Sequence, residues 1–490
     1  MTAADFTALS PLLALAATSV AVMLAAAFRR QHRLAAGLTL AGLAASGAAL
    51  ALAWPLAPRP IGALLIIDRF ALFFIGLILA AAFAVAVFSY DYLERRSGGE
   101  PTVRREEYYV LLVLATLGCG VLAASAHFVS FFLGLELLSV SLFALLAYLR
   151  MNRLSLEAGA KYLILAGASA AFLLFGMSLI YADTGEMELA RIASVAAAGG
   201  ARGYLTLAGA ALVIVGIGFK LSLVPFHLWA PDVYEGAPAP IAAFVATASK
   251  GAVFAVLLRV FTGSNGPVPE SLSTAFTVLA IASMFAGNWL ALMQKNVKRM
   301  LAYSSIAHMG YLLVALLASG AMAVAAVAYY LAAYFVTTLG AFGVVSILSA
   351  GERDADAPGD YSGLAWRRPW MAGVFSAMLL SLAGIPLTAG FVGKFYVLAA
   401  GVRSDLWLLV IALVINSAIG LFYYLRTMAV LFRRPAEAAP GPGETGPATP
   451  AEESLPWRSR TALLVLSVAL VWLGVFPAPL IALIQTLSGV

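Results

Sequence analysis

The sequence predicts an all-α polytopic membrane protein of about 14 transmembrane helices, with two inverted five-helix repeats (spans 4–8 and 9–13) and broken helices 7 and 12. Three observations lead there. Of 490 residues, 62% are hydrophobic and 11% charged, whereas a soluble chain carries roughly 25% charged residues. Apolar runs of about twenty residues recur from end to end, each long enough to cross a hydrocarbon core of ~30 Å as a helix. Two of these runs are interrupted by proline with a lysine nearby.

The spans fall near 8–28, 34–54, 70–90, 108–125, 127–149, 158–182, 204–229, 239–262, 272–293, 299–319, 323–349, 371–400, 407–431 and 461–485. The first is read as a true span. Asp5 is the only charge before it, and neither a basic leader nor a processing site precedes the next span. Cys119 is the single cysteine, which excludes a disulfide framework and a thiolate-held cluster. His32, His127, His227 and His308 are the only histidines, too few for a haem or multi-histidine metal site to be expected. No glycine-rich phosphate or dinucleotide motif is present.

Lysine and arginine set the expected orientation. With both termini outside, inner loops and helix ends hold twenty basic residues, among them Arg29, Arg95, Arg150, Lys298, Arg353 and Arg433. Outer ones hold six: Arg59, Arg69, Arg191, Arg202, Arg259 and Arg403. Lys220, Lys250, Lys394 and Arg426 fall inside spans. The bias predicts a multi-pass protein of a bacterial inner (plasma) membrane with both termini periplasmic, its excess basic charge lying beside anionic headgroups.

One membrane domain, 1–490, accounts for the chain. It divides into accessory helices 1–3 (1–107), a first repeat (108–262), a second repeat (272–431), a flexible cytoplasmic loop (432–460) and a last helix (461–490). The core of that loop, 434–457, is rich in Pro, Gly, Ala and Glu and buries too little apolar surface to order itself. Segment 350–369 is a second inner loop, and 183–203 an outer one.

The seventh span breaks at Leu223-Val224-Pro225-Phe226-His227 and the twelfth around Gly384-Ile385-Pro386. Proline removes a backbone donor and clashes with the preceding turn, so the helix unwinds. Lys220 lies five residues before Pro225, and Lys394 eight residues after Pro386. Broken spans five apart run in opposite directions through the membrane, as an inverted repeat requires.

Glu136 lies near the middle of span five, and Lys250 near the middle of span eight. A charge at a helix centre costs about 2.5–3.5 kcal/mol on insertion scales, so these groups must pair, hydrate or work. A structural ion pair between Glu136 and Lys220 is the bland reading, with Lys250 snorkelling or bonded to carbonyls. Lysine also suits proton transfer. Desolvation disfavours its ammonium and a nearby carboxylate favours it, so moving that influence loads and unloads a proton. His308 is either a relay between Lys250 and Lys394 or a hydrogen-bonded interior histidine. His227 and Asp232 mark a channel mouth or a structural turn. Glu157 and Lys161, one turn apart, read as a surface pair, and Arg426 as a snorkelling cation.

The stretches Lys220–Tyr234, Leu301–Tyr311 and Ser381–Phe395 resemble the signatures of the antiporter-like subunits of complex I, over spans four to thirteen. The run from Val233 to Pro240 (VYEGAPAP) and the Gly393-Lys394-Phe395-Tyr396 ending look like the subunit N branch of NADH–quinone oxidoreductase. The sister subunit M typically has a glutamate where this chain has Lys394, and subunit L carries extra C-terminal helices. The resemblance implies a translocase subunit of NADH:quinone reductase, with catalytic roles in proton translocation. Glu136 and Lys220 would be the coupling pair, Lys250 the central carrier, His308 a relay and Lys394 the exit-side lysine. It also implies that NADH, FMN, iron–sulfur clusters and quinone belong to partner subunits, with no cofactor or metal on this chain and no nucleic acid. Its partners would be other membrane subunits of complex I, including sister antiporter-like subunits, and the lipid bilayer. The alternative is a D-type subunit of a multisubunit sodium/proton antiporter. A purely structural scaffold survives only if the buried charges are inert.

Overall fold

The computed structural model describes residues 2–96, 104–197, 203–262, 269–318, 320–349, 353–434 and 456–487. The predicted loop 434–457 lies almost wholly outside them. Helices dominate, as the apolar periodicity requires. The first segment comprises α1 (Ala3–Phe28), α2 (His32–Ala53) and α3 (Arg69–Arg96). The first repeat comprises α4 (Glu106–Ala123), α5 (Phe128–Leu146), α6 (Arg153–Thr184), α7 (Leu189–Ala197), α8 (Tyr204–Leu221), α9 (Trp229–Gly236), α10 (Ala239–Phe244) and α11 (Lys250–Thr262). The second comprises α12 (Glu270–Met293), α13 (Val297–Leu317), α14 (Gly320–Leu348), α15 (Pro358–Tyr361), α16 (Leu364–Arg367), α17 (Pro369–Ala383), α18 (Ala389–Arg403) and α19 (Trp407–Leu431). The last segment holds α20 (Trp457–Val475) and α21 (Ala478–Gln485).

Among the described residues, thirteen helices are long and apolar enough to cross a membrane. The remaining span is the twelfth, divided between α17 and α18, each of 15 residues. Span starts follow local chemistry. Asn152 and Asn296 accept hydrogen bonds from the backbone N–H groups of Leu154 and Arg299, capping α6 and α13. Gly185, at φ 70°, ends α6 in the left-handed conformation that favours glycine.

Two details depart from the sequence reading. A short antiparallel hairpin, β1 (Arg59–Ile61) and β2 (Leu65–Ile67), joins α2 to α3 with Arg59 opposite Ile67. The predicted outer loop 183–203 contains the nine-residue helix α7. Both are too short for a periodicity signal to register.

The two repeats pack alike. In the first, α4 meets α5 and α6 meets α8; in the second, α12 meets α13 and α14 meets α18. Glycine brings the backbones together at both equivalent crossings. A Cβ on Gly118 of α4 would lie 2.7 Å from the Leu138 nitrogen, and one on Gly287 of α12 2.6 Å from the Ala307 nitrogen. Small residues at such crossings are how membrane helices gain contact when lipid offers no hydrophobic contrast. α3 is more central than an accessory helix: it packs on α4, α10 and α11 of the first repeat and on α14 and α20.

Candidate functional site

Both predicted breaks are present. α8 ends at Leu221, Ser222 turns left-handed at φ 58°, and α9 resumes at Trp229. The freed groups find side chains: Val224 N–H donates to Ser283 Oγ at 3.0 Å, and the Trp229 indole N–H to the Phe219 carbonyl at 2.9 Å. In the twelfth span Gly384, at φ 86°, ends α17, and Ser381 Oγ accepts from Gly390 N–H at 3.0 Å. A third irregularity was not legible in the sequence. A five-residue π-helical turn, Val245–Ser249, separates α10 from α11 directly before Lys250, and such turns frequently accompany functional sites.

The three intramembrane lysines are buried and share one kind of environment. Lys220 Nζ donates to Ser139 Oγ at 2.5 Å, Lys250 Nζ to Ser305 Oγ at 2.8 Å, and Lys394 Nζ to Ser417 Oγ at 2.9 Å. Each ammonium also stands over a tyrosine ring: Tyr162 at 5.2 Å, Tyr234 at 5.7 Å and Tyr311 at 5.2 Å from the centroid. Lys394 makes one further bond, to the Ala383 carbonyl across the break at 2.8 Å. Among the described residues no carboxylate lies within ion-pairing distance of any of the three. Serines and tyrosines within apolar helices have no pattern that marks them as lysine partners, so sequence reasoning missed all six.

The direct Glu136–Lys220 pair of the sequence reading is therefore not formed. Ser139, one turn beyond Glu136 on α5, receives the Lys220 proton donor instead. Glu136 is half-buried and shares its stripe of α5 with the exposed Val129, Leu133 and Val140.

His308 is the hub of a tyrosine cage. Its Nδ1 is 2.6 Å from the Tyr330 hydroxyl and its Nε2 3.3 Å from the Tyr424 hydroxyl, which in turn bonds Ser304. Tyr334 stacks obliquely on the imidazole, with centroids 5.2 Å apart, and donates to Ser305 Oγ at 2.8 Å, the atom that also holds Lys250. A cavity of about 10 Å³ lies between His308, Tyr330, Tyr334, Thr337, Ser381 and Gly390, the smallest room a water needs. Polar groups thus run from Lys250 through Ser305 and Tyr334 to His308, and on to the second break.

The remaining candidates resolve differently. Lys161 pairs with Glu157 at 2.6 Å as expected and also reaches Asp232 at 2.5 Å. Asp232 and Glu235 both bind Arg299, at 2.7 and 2.6 Å, so Asp232 belongs to an ionic network at this end of the bundle. His227 is buried, and neither ring nitrogen has a hydrogen-bond partner among the described residues. Arg426 does more than snorkel: it donates to the Leu292 and Gln294 carbonyls at 2.7 and 2.9 Å, satisfying the end of α12.

Lys298, counted from the sequence as a loop charge, is fully buried. It donates to the Glu235 and Ala237 carbonyls at 2.7 and 2.6 Å and to Asp354 at 2.6 Å. Asp354 also binds Arg96 and accepts from the Tyr92 hydroxyl at 2.7 Å. Burial opposes ionisation of Asp354, but Lys298 and Arg96 hold its carboxyl below the usual carboxylate range.

Residues 125–420 match the family described as NADH:quinone oxidoreductase/Mrp antiporter, TM. The chain is 54% identical over 499 residues to the NADH-quinone oxidoreductase subunit N of Nitrosospira multiformis, covering 99% of this chain and 96% of that one. Among solved structures it resembles a chain of respiratory complex I from Thermus thermophilus with bound aureothin, at TM-score 0.79 and 34% identity, covering 96% of this chain and 98% of that one. A chain of the Mrp complex from Dietzia sp. DQ12-45-1b, 20% identical with TM-score 0.82 over 100% of this chain and 97% of that one, shares the fold. The chain belongs to the subunit N family of NADH:quinone oxidoreductase, the antiporter-like, proton-translocating membrane subunits of complex I.

Proposed function

We propose that protons cross this subunit by way of Glu136, Lys220, Lys250, His308 and Lys394, driven by electron transfer from NADH to quinone in partner subunits. The observation that carries the reading is the neutral shell repeated around all three lysines. A carboxylate in contact would pin each ammonium, whereas a serine hydroxyl can donate to a neutral amine or accept from a charged one. Each lysine can therefore give up its proton without stranding a contacting carboxylate. Lys250 and Tyr334 share Ser305 Oγ, the Tyr334 ring lies against the His308 imidazole, and the small cavity beside His308 reaches Ser381 and Gly390. NADH, FMN, iron–sulfur clusters and quinone sit on neighbouring subunits, and this chain contributes no redox site.

Glu136 fits the same scheme as the input. A carboxylate on an exposed face of α5 is costly against lipid, so that face is covered by another membrane subunit of the complex, sister antiporter-like subunits included. A charge change there reaches Lys220 without a hydrogen bond being broken. Both termini face the periplasm of a bacterial inner membrane.

Lys250→Met in the intact complex tests the route. It keeps the apolar stem and removes the titratable group. The expected result is normal insertion with severely slowed proton translocation in reconstituted vesicles. Normal pumping would remove Lys250 from the route.

A further inference from the structure

A cavity of about 300 Å³ lies at the membrane edge, where the turn between α12 and α13 faces the end of α19 and the short helix α15. Three cations line it, Lys295, Arg426 and Arg433, and no carboxylate does. The acids close by are already engaged. Asp356 and Glu235 take the Asn296 amide at 2.7 and 3.1 Å, Glu235 also takes Arg299, and Asp360 takes Arg353. Arg426 is fixed by the two α12 carbonyls. Lys295 and Arg433 are exposed and have no ion pair or side-chain hydrogen bond among the described residues. Val297, Met300 and Val430 add apolar surface to the lining, beside the polar Gln294, Asn296 and Thr427.

The surface on the membrane side of this cavity has the complementary chemistry. Phe422, Leu425, Arg426 and Ala429 recur at helical spacing along one exposed stripe of α19, and Arg433 is exposed two residues past its end. Trp289 and Met293 are exposed on the last turns of α12, which packs beside α19. A cationic cup therefore caps a track of large apolar side chains that runs toward the bilayer centre. Trp366, exposed at the same end, donates to the Phe432 carbonyl at 3.3 Å, and tryptophan favours the headgroup level.

We propose that this cavity binds the headgroup of an anionic phospholipid, with phosphate between Lys295, Arg426 and Arg433 and acyl chains along Phe422, Leu425 and Trp289. A lipid satisfies both halves at once, the uncompensated positive charge and the apolar track. Free phosphate satisfies the first alone. The inference is independent of the proton route, since none of these residues belongs to it.

The test uses the intact, detergent-purified complex stripped of lipid and titrated with a photoactivatable phosphatidylglycerol carrying its reactive group on an acyl chain. Wild type is expected to label within 289–300 and 422–433. The double variant Lys295→Gln/Arg433→Gln, which leaves the Arg426 cap in place, is expected to need about 30-fold more probe, as two surface cations together are worth about 2 kcal/mol at 1.4 kcal/mol per tenfold. Unchanged labelling in the variant overturns the site, and so does equal labelling by the matching phosphatidylcholine probe. Phosphate that binds wild type, measured by phosphorus NMR, without any lipid labelling of these segments shows a free-phosphate site and overturns the lipid. Labelling that appears only after a neighbouring subunit is removed assigns the cavity to a protein contact instead.

Discussion

Lys220 Nζ lies 2.5 Å from Ser139 Oγ, and the serine stands one helical turn from Glu136 on the same helix. A neutral hydroxyl thus occupies the place of the expected carboxylate. Breaking a contacting buried pair costs about 3–5 kcal/mol because one charge is stranded, and this geometry avoids that loss. Glu136→Gln is expected to assemble normally and to pump slowly, because only the long-range influence on Lys220 is removed. Subunit content of purified complex and proton uptake by reconstituted vesicles separate the two effects. Loss of assembly would mean that Glu136 holds helices together.

The serines themselves should matter in proportion to their bonds. Ser305 serves both Lys250 and Tyr334, so Ser305→Ala breaks the only hydrogen-bonded link between Lys250 and the cage among the described residues. Pumping is expected to fall further in Ser305→Ala than in Ser417→Ala, since Lys394 keeps the Ala383 carbonyl. Equal rates in the two variants would count against the Lys250–Ser305–Tyr334 link.

His308 is held by two tyrosine hydroxyls, and His308→Phe fills the space without a polar atom. The expected outcome is a folded complex with impaired translocation, and Tyr330→Phe should reproduce part of the defect by removing the 2.6 Å partner. Proton-pumping assays on both variants, with thermal denaturation as the control for folding, decide it. A His308→Phe complex that pumps at the wild-type rate reduces His308 to a packing residue.

Asp354 is a buried carboxylate with three side-chain partners. Its contacts with Lys298, Arg96 and Tyr92 join α13, α3 and the segment after α14. Asp354→Asn removes the only carboxylate that faces both Lys298 and Arg96 among the described residues and is expected to destabilise by about 3–5 kcal/mol, partly recovered by adding Lys298→Met. The pH dependence follows from the depressed carboxyl. Its contribution is complete above the unfolded value near 4 and is lost as pH falls through the lower folded value. Thermal melts of wild type and Asp354→Asn should therefore converge in acid and separate at neutral pH.

Orientation is tested chemically. Ala3→Cys and Ser488→Cys are expected to react with an impermeant maleimide in intact cells, and Thr445→Cys is not. Native Cys119 is buried and should give little background. Labelling at 445 would invert the topology.

The long-range plan of the molecule was legible because it is written in runs. Apolar stretches of membrane length located the spans, and Pro225 and Pro386 located both breaks. Isolated charges in apolar runs located Lys220, Lys250 and Lys394 as buried groups. What the sequence concealed depends on partners remote along the chain. Ser139 and Lys220 are 81 residues apart, and Lys298 and Asp354 are 56 apart. A lysine at the start of a span reads as a loop charge until the fold places an aspartate beside it. The π-helical turn before Lys250 is equally silent, because Val245–Ser249 is ordinary helix-compatible sequence.

The Lys394 side chain lies across the second break, bonded to Ala383 at the end of one half-helix while rooted in the other, and passes so close to Gly384 that a Cβ there would sit 2.7 Å from its Cδ. Charge and mechanics are thereby joined at one atom. A protonated amine grips the carbonyl end of α17 more strongly than a neutral one, so the strength of this link between the two half-helices depends on the charge of Lys394. A side chain at Gly384 would collide with the Lys394 stem and strain a turn held at φ 86°, so even the smallest substitution there acts on the lysine's hold across the break.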